Sequence, residues 1–463
     1  MSDARRRAAL DLIVVFDGLS PAAVTPERSP WLSSVRARSS RFTAARAQIP
    51  TVTRVNAATL ATGVRPGRHG LPGNRVLVRE LGLDRPVVTS DRCDLLAVEK
   101  ACGRILTAPS LGELLAAAGR RALVVNTGGP GLSLLLDPTA HQGGPGIRIN
   151  TRDAEHLAEP AWAADELRTA LGAPGEDRAG QLRYAVDALL RMIDRHRPDV
   201  AVLWLTEPDA AQHRYGPGSA QAFAGLAASD AALGRVVDGL AAAGLAAGTN
   251  LWLASDHGSS PMIGRINLAE ELAAAGFDGR VHCCDDGTSG IWLDDAQDAV
   301  AERLVDWLRR QPWTGVLFGA GGLAGTVPLG LLGADGPRAP QLLVGYAPGW
   351  YSAQVGPTTD APDFHGCHGS PYRRDVHTLL SVSGPDYRAD ADLTAPAGLV
   401  DVLPTIAASL GIDVDTEGRV LTEAYPDGTV PAVATSRLTL PGARATLSRV
   451  GAVSYVDDVV PLR

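Results

Sequence analysis

Four short apolar runs, each closed by a polar residue, constrain the architecture of this chain more than any other feature. Residues 11–18 read Asp11-Leu12-Ile13-Val14-Val15-Phe16-Asp17-Gly18, and residues 121–126 end at Asn126. Residues 200–206 run into Glu207-Pro208-Asp209, and residues 249–255 run into Asp256-His257-Gly258. Runs of this length without polar alternation predict strands buried on both faces, as in a parallel sheet. Stretches with helical spacing lie at residues 29–37, 110–118, 162–171, 178–196 and 220–243. Strand, polar end and helix in repetition predict an α/β fold, a doubly wound, mostly parallel sheet flanked by helices. Its ligands should gather at the carboxyl ends of the strands.

The rhythm changes past residue 265. A helix at 268–275, strands at 290–293, 315–318 and 341–346, and a helix at 295–310 predict a smaller α+β cap inserted at 266–361. The core then spans 1–265 and resumes over 362–463, with a strand at 377–383, a helix at 401–410 and a tail from about 430 that reads as a hairpin. Residues 64–100 and 127–150 read as loop-rich or irregular. The net charge of −8 offers no footprint for a nucleic acid polymer. No run is long enough to cross a membrane, so no membrane partner is expected. The basic start, Arg5 to Arg7, is followed by an apolar run cut by Asp11 and Asp17, which reads as a strand and not a signal peptide. The cysteines, Cys93, Cys102, Cys283, Cys284 and Cys367, are odd in number and two are adjacent, which argues for a reduced, cytoplasmic setting. The sequence leaves a monomer and a homo-oligomer both open.

The polar strand ends carry the chemistry. Asp17, Asp209, Asp256 and His257 fall at one predicted sheet edge; His213 lies one helical turn after Asp209, and His368 stands in Gly366-Cys367-His368-Gly369. Three carboxylates and three imidazoles suit Zn²⁺, and less specifically Mn²⁺ or Fe. Six ligands exceed one tetrahedral site, so two divalent metal ions are expected, a pairing suited to in-line phosphoryl transfer. The stretch from Ile49 to Gly63 reads as an extended segment running into a short helix. Thr51, Thr53 and Asn56 fall near its first turn, where free N–H groups and the positive dipole end converge. Such residues are most often caps; here they stand in a chain with a candidate metal cluster, where a threonine oxygen can act as nucleophile.

The ordered set Asp17-Gly18, Pro50-Thr51-Val52-Thr53-Arg54-Val55-Asn56, Ala61-Thr62-Gly63, Arg68-His69-Gly70, Glu207-Pro208-Asp209 with His213 and Gly216-Pro217, Ser255-Asp256-His257-Gly258 and Gly366-Cys367-His368-Gly369 resembles one family. It is the type I phosphodiesterase/nucleotide pyrophosphatase branch of the alkaline phosphatase superfamily. The resemblance covers roughly residues 10–260 and 362–412, and residues 401–407 resemble that superfamily's closing helix. It implies Thr53 as nucleophile and Asn56 as hydrogen-bond donor to a phosphoryl oxygen. It also implies one metal on Asp209, His213 and His368, and another on Asp17, Asp256 and His257 with Thr53 reaching it. The reaction implied is hydrolysis of a small-molecule phosphodiester or pyrophosphate-type ester through a covalent phospho-threonine.

The chain departs from that pattern at Arg54. Nucleotide pyrophosphatases carry an aromatic there that stacks a base, whereas an arginine suits a second anionic group or a monoester's extra charge; a solvated or salt-bridged arginine is the plain alternative. The chain also resembles phosphonoacetate hydrolase around residues 50–74, but residues 126–132 lack the lysines that hold that substrate's carboxylate. A phosphomonoesterase or phosphonate hydrolase on the same scaffold, and a non-catalytic metal-binding relative, are the competing readings. His365 is a candidate substrate contact; His69 reads as structural, as do His282, Cys283 and Cys284 in the cap.

Overall fold

The computed structural model describes residues 7–277, 279, 281–294, 298–353 and 364–462. A nine-stranded sheet runs through its centre. In chain order the strands are β1 (Leu10–Phe16), β2 (Ser40–Phe42), β3 (Ala122–Asn126), β4 (Ile147–Asn150), β5 (Ala158–Glu159), β6 (Val200–Leu205), β7 (Thr249–Ala254), β8 (Leu380–Ser383) and β9 (Ala391–Leu393). Across the sheet they lie β9-β2-β8-β7-β1-β6-β3-β4-β5. The five strands from β7 to β4 are mutually parallel, and β8 and β5 run antiparallel to their neighbours.

The apolar runs form β1, β3, β6 and β7 because both faces are covered. Ile13, Val15, Val202 and Trp204 pack on one side with helix α1 (Thr53–Thr62), whereas Leu12, Val14, Leu203 and Leu253 pack on the other with helix α2 (Arg178–His196). Alternate residues therefore enter separate cores, and each core needs apolar side chains. Register fixes the site. Val15 pairs with Ala254 and with Trp204, so the residues following β1, β6 and β7 emerge together at one edge.

A second sheet of five strands, mostly antiparallel, is built from Val281–Cys284, Ser289–Leu293, Thr314–Gly319, Val327–Pro328 and Leu342–Tyr346, and packs beside the main sheet as a cap. The expected end of the insertion at 361 lies outside the described residues. Two stretches expected to be irregular are not. Residues 127–150 contain a short helix, Gly131–Leu136, and strand β4, whose apolar pattern is broken by the buried Arg148. Residues 64–100 contain a hairpin, Arg75–Val78 with Gly82–Val88, and a helix, Arg92–Cys102, capped by Asp91. The tail forms a three-stranded antiparallel sheet (Val433–Leu440, Ala443–Val450, Val453–Pro461), one strand more than the expected hairpin.

Candidate active site

The candidate side chains come from several separate chain segments that meet at one edge of the sheet. Asp17 follows β1, and its Oδ2 accepts the indole N–H of Trp204 at 3.0 Å. Gly18 turns the chain at φ +69°, and a Cβ there would lie 2.8 Å from that of Asp209, so only glycine lets the two loops close. Asp209 and His213 share helix α3 (Asp209–Tyr215), one turn apart, with His213 Nε2 3.3 Å from Asp209 Oδ2. Asp256 follows β7, and its Oδ1 accepts N–H groups of Gly18 and His257, each at 3.0 Å. His368 is carried in by pairing of Ser260–Pro261 with Gly366–Cys367 and by the bridge between Thr51 and Gly369. Thr51 therefore ties the threonine helix to the His368 loop instead of capping, its Oγ1 donating to Ser370 O and accepting from Gly369 N.

Thr53 is the first residue of α1. Its Oγ1 lies 3.3 Å from His257 Nε2 and 3.5 Å from Asp17 Oδ1, and only 3% of the residue is exposed. All three imidazoles are turned alike. Nδ1 of His213, His257 and His368 contacts the carbonyl of Gly366, Gly258 and Thr51 at 3.0, 2.8 and 3.0 Å. Each Nδ1 contact places a proton on that nitrogen and aims Nε2 into the cluster, the orientation metal-binding histidines adopt.

Asp17, Asp256 and His257 place ligand atoms within 4.8 Å of one another, and so do Asp209, His257 and His368. His213 Nε2 lies 3.1 Å from His368 Nε2 and joins the second set. The cluster is electrostatically unbalanced. Burial and then Asp17 push Asp256 well above the usual carboxylate range. Burial lowers His257, but Asp256, Asp17 and Asp209 outweigh it and lift the imidazole to about 10. Burial and then His257 push His368 well down. Asp209 Oδ1 and Asp256 Oδ2 are buried without hydrogen-bond partners. Orphaned carboxylate oxygens facing aligned Nε2 atoms fit divalent cations, with a donor set of the kind zinc takes.

Two expected contacts do not fit this geometry. Asn56 is fully buried; its Nδ2 donates to Gln48 O and Val52 O, each at 3.2 Å, and its Oδ1 accepts from Gln48 N at 2.8 Å. Both donors are used within the fold, which leaves none for a phosphoryl oxygen. Asn74 is the amide that sequence reasoning missed. Its Oδ1 accepts the Arg54 N–H at 2.9 Å, which sets the side chain against the first turn of α1. The signal for it was the turn pair Gly73-Asn74 ahead of a strand. His365 has an exposed side chain and acts through its backbone, donating to His213 O at 2.8 Å and accepting from Met262 N at 2.9 Å.

Arg54 lines a cleft of about 630 Å³ together with Asp17, Asp209 and His213. In the cap, His282 pairs with Asp294 at 2.7 Å, and burial raises both thiols, Cys284 to about 12. That pairing agrees with the structural reading of this group.

A sequence profile of the family "Type I phosphodiesterase / nucleotide pyrophosphatase" matches residues 12–371. The venom phosphodiesterase CdcPDE of Crotalus durissus collilineatus is 25% identical over 220 residues, 46% of this chain and 21% of that protein. Ectonucleotide pyrophosphatase/phosphodiesterase family member 1 of Mus musculus is 39% identical over 74 residues, 16% of this chain and 8% of that protein. The match thus spans about a fifth or less of the length of these curated relatives. Among solved structures, an inactive variant of murine ectonucleotide pyrophosphatase/phosphodiesterase 5 in complex with AMP has a TM-score of 0.64 at 17% identity. The alignment covers 88% of this chain and 96% of that one, a likeness of fold.

These relatives correct the expectation of a cytoplasmic setting: they are venom and ecto-enzymes, which points away from the cytoplasm. The free cysteines were a poor guide: Cys284 and Cys367 are buried, with thiols pushed up mainly by burial, so their reduced state reports packing more than compartment. Among the described residues no helix is long and apolar enough to cross a membrane. On the extent of the profile match, joined to the shared fold, the chain belongs to the type I phosphodiesterase/nucleotide pyrophosphatase family.

Proposed function

We propose that the chain is a hydrolase of small-molecule phosphodiester or pyrophosphate-type esters that works through a covalent phospho-threonine on Thr53. The observation that carries this reading is the position of Thr53 Oγ1. It sits at a helix N-terminus, within 3.5 Å of both Asp17 and His257 and facing the paired ligand sets. Asp17, Asp256 and His257 would hold one divalent cation, and Asp209, His213 and His368 another, with Zn²⁺ the best match to the donors. Such ions supply Lewis acidity that favours the threonine alkoxide and offsets the charge of the phosphoryl group.

The chain's own residues divide the rest of the work. Thr53 Oγ1 attacks phosphorus as its proton passes to solvent, and the P–O bond to the alcohol or phosphate leaving group breaks on the opposite side, the departing oxygen taking up a proton from water. Water then cleaves the Thr53–phosphorus bond and restores the hydroxyl. The free N–H groups of the first turn of α1, with the Asn74 amide, are suited to hold a non-bridging oxygen. Arg54 meets the substrate beyond the reacting phosphorus. The division into core segments 1–265 and 362–463 around an insertion at 266–361, which would shape access to the cleft, belongs to the same proposal.

The test is turnover of a bis-aryl phosphodiester and the matching aryl monoester by zinc-loaded protein. Thr53→Ala should lower turnover by at least about a thousandfold, with bound metal unchanged by elemental analysis. Thr53→Ala protein that still turns over would remove the threonine from this role.

A further inference from the structure

The cleft above the metal-ligand cluster is walled by cations that the reaction at phosphorus does not use. Arg54, Arg152 and Arg178 line the same space as Asp17, Asp209 and His213. Their positions are built. The Gly128–Gly129 turn after β3 is held by Asn126, whose Oδ1 accepts from Gly128 N at 2.8 Å and whose Nδ2 donates to Gly129 O at 2.8 Å. Arg54 packs on that turn: a Cβ at Gly129 would stand 3.2 Å from Arg54 Nη2. Asn150, at the end of β4, donates through Nδ2 to Gly128 O at 3.0 Å and accepts Arg152 N through Oδ1 at 2.9 Å. One asparagine thus fixes both the shelf under Arg54 and the backbone of Arg152.

Two of the three arginines on this wall have no carboxylate partner among the described residues, although Glu176 also lines the cleft. Arg178 is neutralised by Glu207, with Nη1 2.6 Å from Oε1. Arg54 and Arg152 have no side-chain ion pair or hydrogen bond among the described residues, and the buried Nε of Arg54 has no partner. Partial burial, then the like charges of Arg178 and Arg54, push the Arg152 guanidinium down, which places the three groups in one another's field. A buried donor without a partner, beside a second unpaired cation in an open cleft, is a site waiting for an anion.

We propose that the substrate carries a second anionic group, a carboxylate or a phosphate, beside the scissile phosphoryl ester, and that Arg54 and Arg152 hold it. This rests on the hydrolase reading above and narrows its substrate class. The second anion is drawn to the planar guanidinium forks, while the phosphoryl group is held at Thr53. A nucleobase stacked on one guanidinium would leave its N–H donors unmatched, and a neutral ester leaves Arg54 Nε without a partner.

The inference is tested with three probes on metal-loaded protein: p-nitrophenyl 2-carboxyethyl phosphate, its methyl ester, and the 2-phosphonoethyl analogue. Either acid should exceed the ester in kcat/KM by at least about tenfold, the scale of one charged hydrogen bond, and the better acid identifies the anion. That preference should fall to within about threefold in Arg152→Gln, an exposed position safe for folding, and in Arg54→Gln. Binding to the metal-loaded Thr53→Ala protein, measured by calorimetry, repeats the comparison without turnover. Equal kcat/KM and equal binding for acid and ester, or a preference that survives both substitutions, would overturn the anion site and leave the hydrolase reading standing. A binding preference that depends on both arginines, with no turnover of any probe, would overturn the hydrolase reading and keep the anion site.

Discussion

The Nε2 atoms of His213 and His368 face each other 3.1 Å apart above the carboxylate of Asp209. Each imidazole is fixed there from behind, one by Gly366 O and the other by Thr51 O. A cation between the two Nε2 atoms and Asp209 would be ligated by all three and would relieve their close approach. Metal should therefore add stability as well as activity. At a free concentration a thousandfold above Kd, a bound ion raises the unfolding free energy by about 4 kcal/mol. We expect the melting temperature to fall on chelation, to recover with Zn²⁺, and to respond much less in a His213→Ala/His368→Ala variant. Melting curves indifferent to chelator in the parent protein would contradict a metal at these residues.

The Asn56 amide is spent inside the fold, and the proposal gives the phosphoryl contact expected of it to Asn74. Removing the Asn56 side chain strands the Gln48 N–H and the Gln48 carbonyl in the core, while Val52 O keeps the Asn56 N–H, at a cost of about 1–3 kcal/mol for each buried group left unpaired. Asn56→Ala should therefore lower stability by about 2–4 kcal/mol in denaturant titrations. Asn74→Ala should cost only about 1 kcal/mol of stability, for its half-buried hydrogen bond from Arg54 N, and lower kcat by about 10²-fold, the scale of one lost donor to a developing negative charge. Full activity in Asn74→Ala, with an Asn56→Ala protein as stable as the parent but slow, would reverse the assignment.

Much of this was legible in the sequence, for a specific reason. Strands buried on both faces leave continuous apolar runs, so β1, β3, β6 and β7 could be read directly, and their polar ends marked the site edge. Asp17, Asp256 and His257 follow strands at that edge, Thr53 and Asp209 open helices there, His213 lies one turn behind Asp209, and His368 is brought in by its own loop. Strand β4 was hidden because Arg148 is buried within it, its pKa lowered to about 10 by burial. The role of Asn56 was misread because sequence spacing says which turn a residue occupies, not which way its amide points. Arg152 and Arg178 carry no motif, and only the closing of the chain puts them in one cleft with Arg54.

His69 extends the same logic to pH. It is fully buried between α1 and the following turn, accepting Leu71 N at Nδ1 and facing Thr59 Oγ1 with Nε2, each at 3.2 Å. The Leu71 contact requires Nδ1 bare, so the ring is neutral with its proton on Nε2, donated to Thr59. Burial pushes its pKa from 6.5 down to about 3. A folded-state value below the unfolded one means the stability tied to neutral His69 is complete above pH 6.5 and is lost as pH falls toward 3. The full span is worth up to about 5 kcal/mol at ~1.4 kcal/mol per pH unit. His69→Asn keeps an acceptor near the Nδ1 position but cannot titrate. It should be less stable than the parent at pH 7, and the gap should narrow steadily below pH 6.5. Taking the difference between the two proteins cancels the titration of the distant metal cluster. Parallel stability curves down to pH 4 would show that His69 is protonated without penalty, and that the helix carrying Thr53 does not depend on a neutral ring behind it.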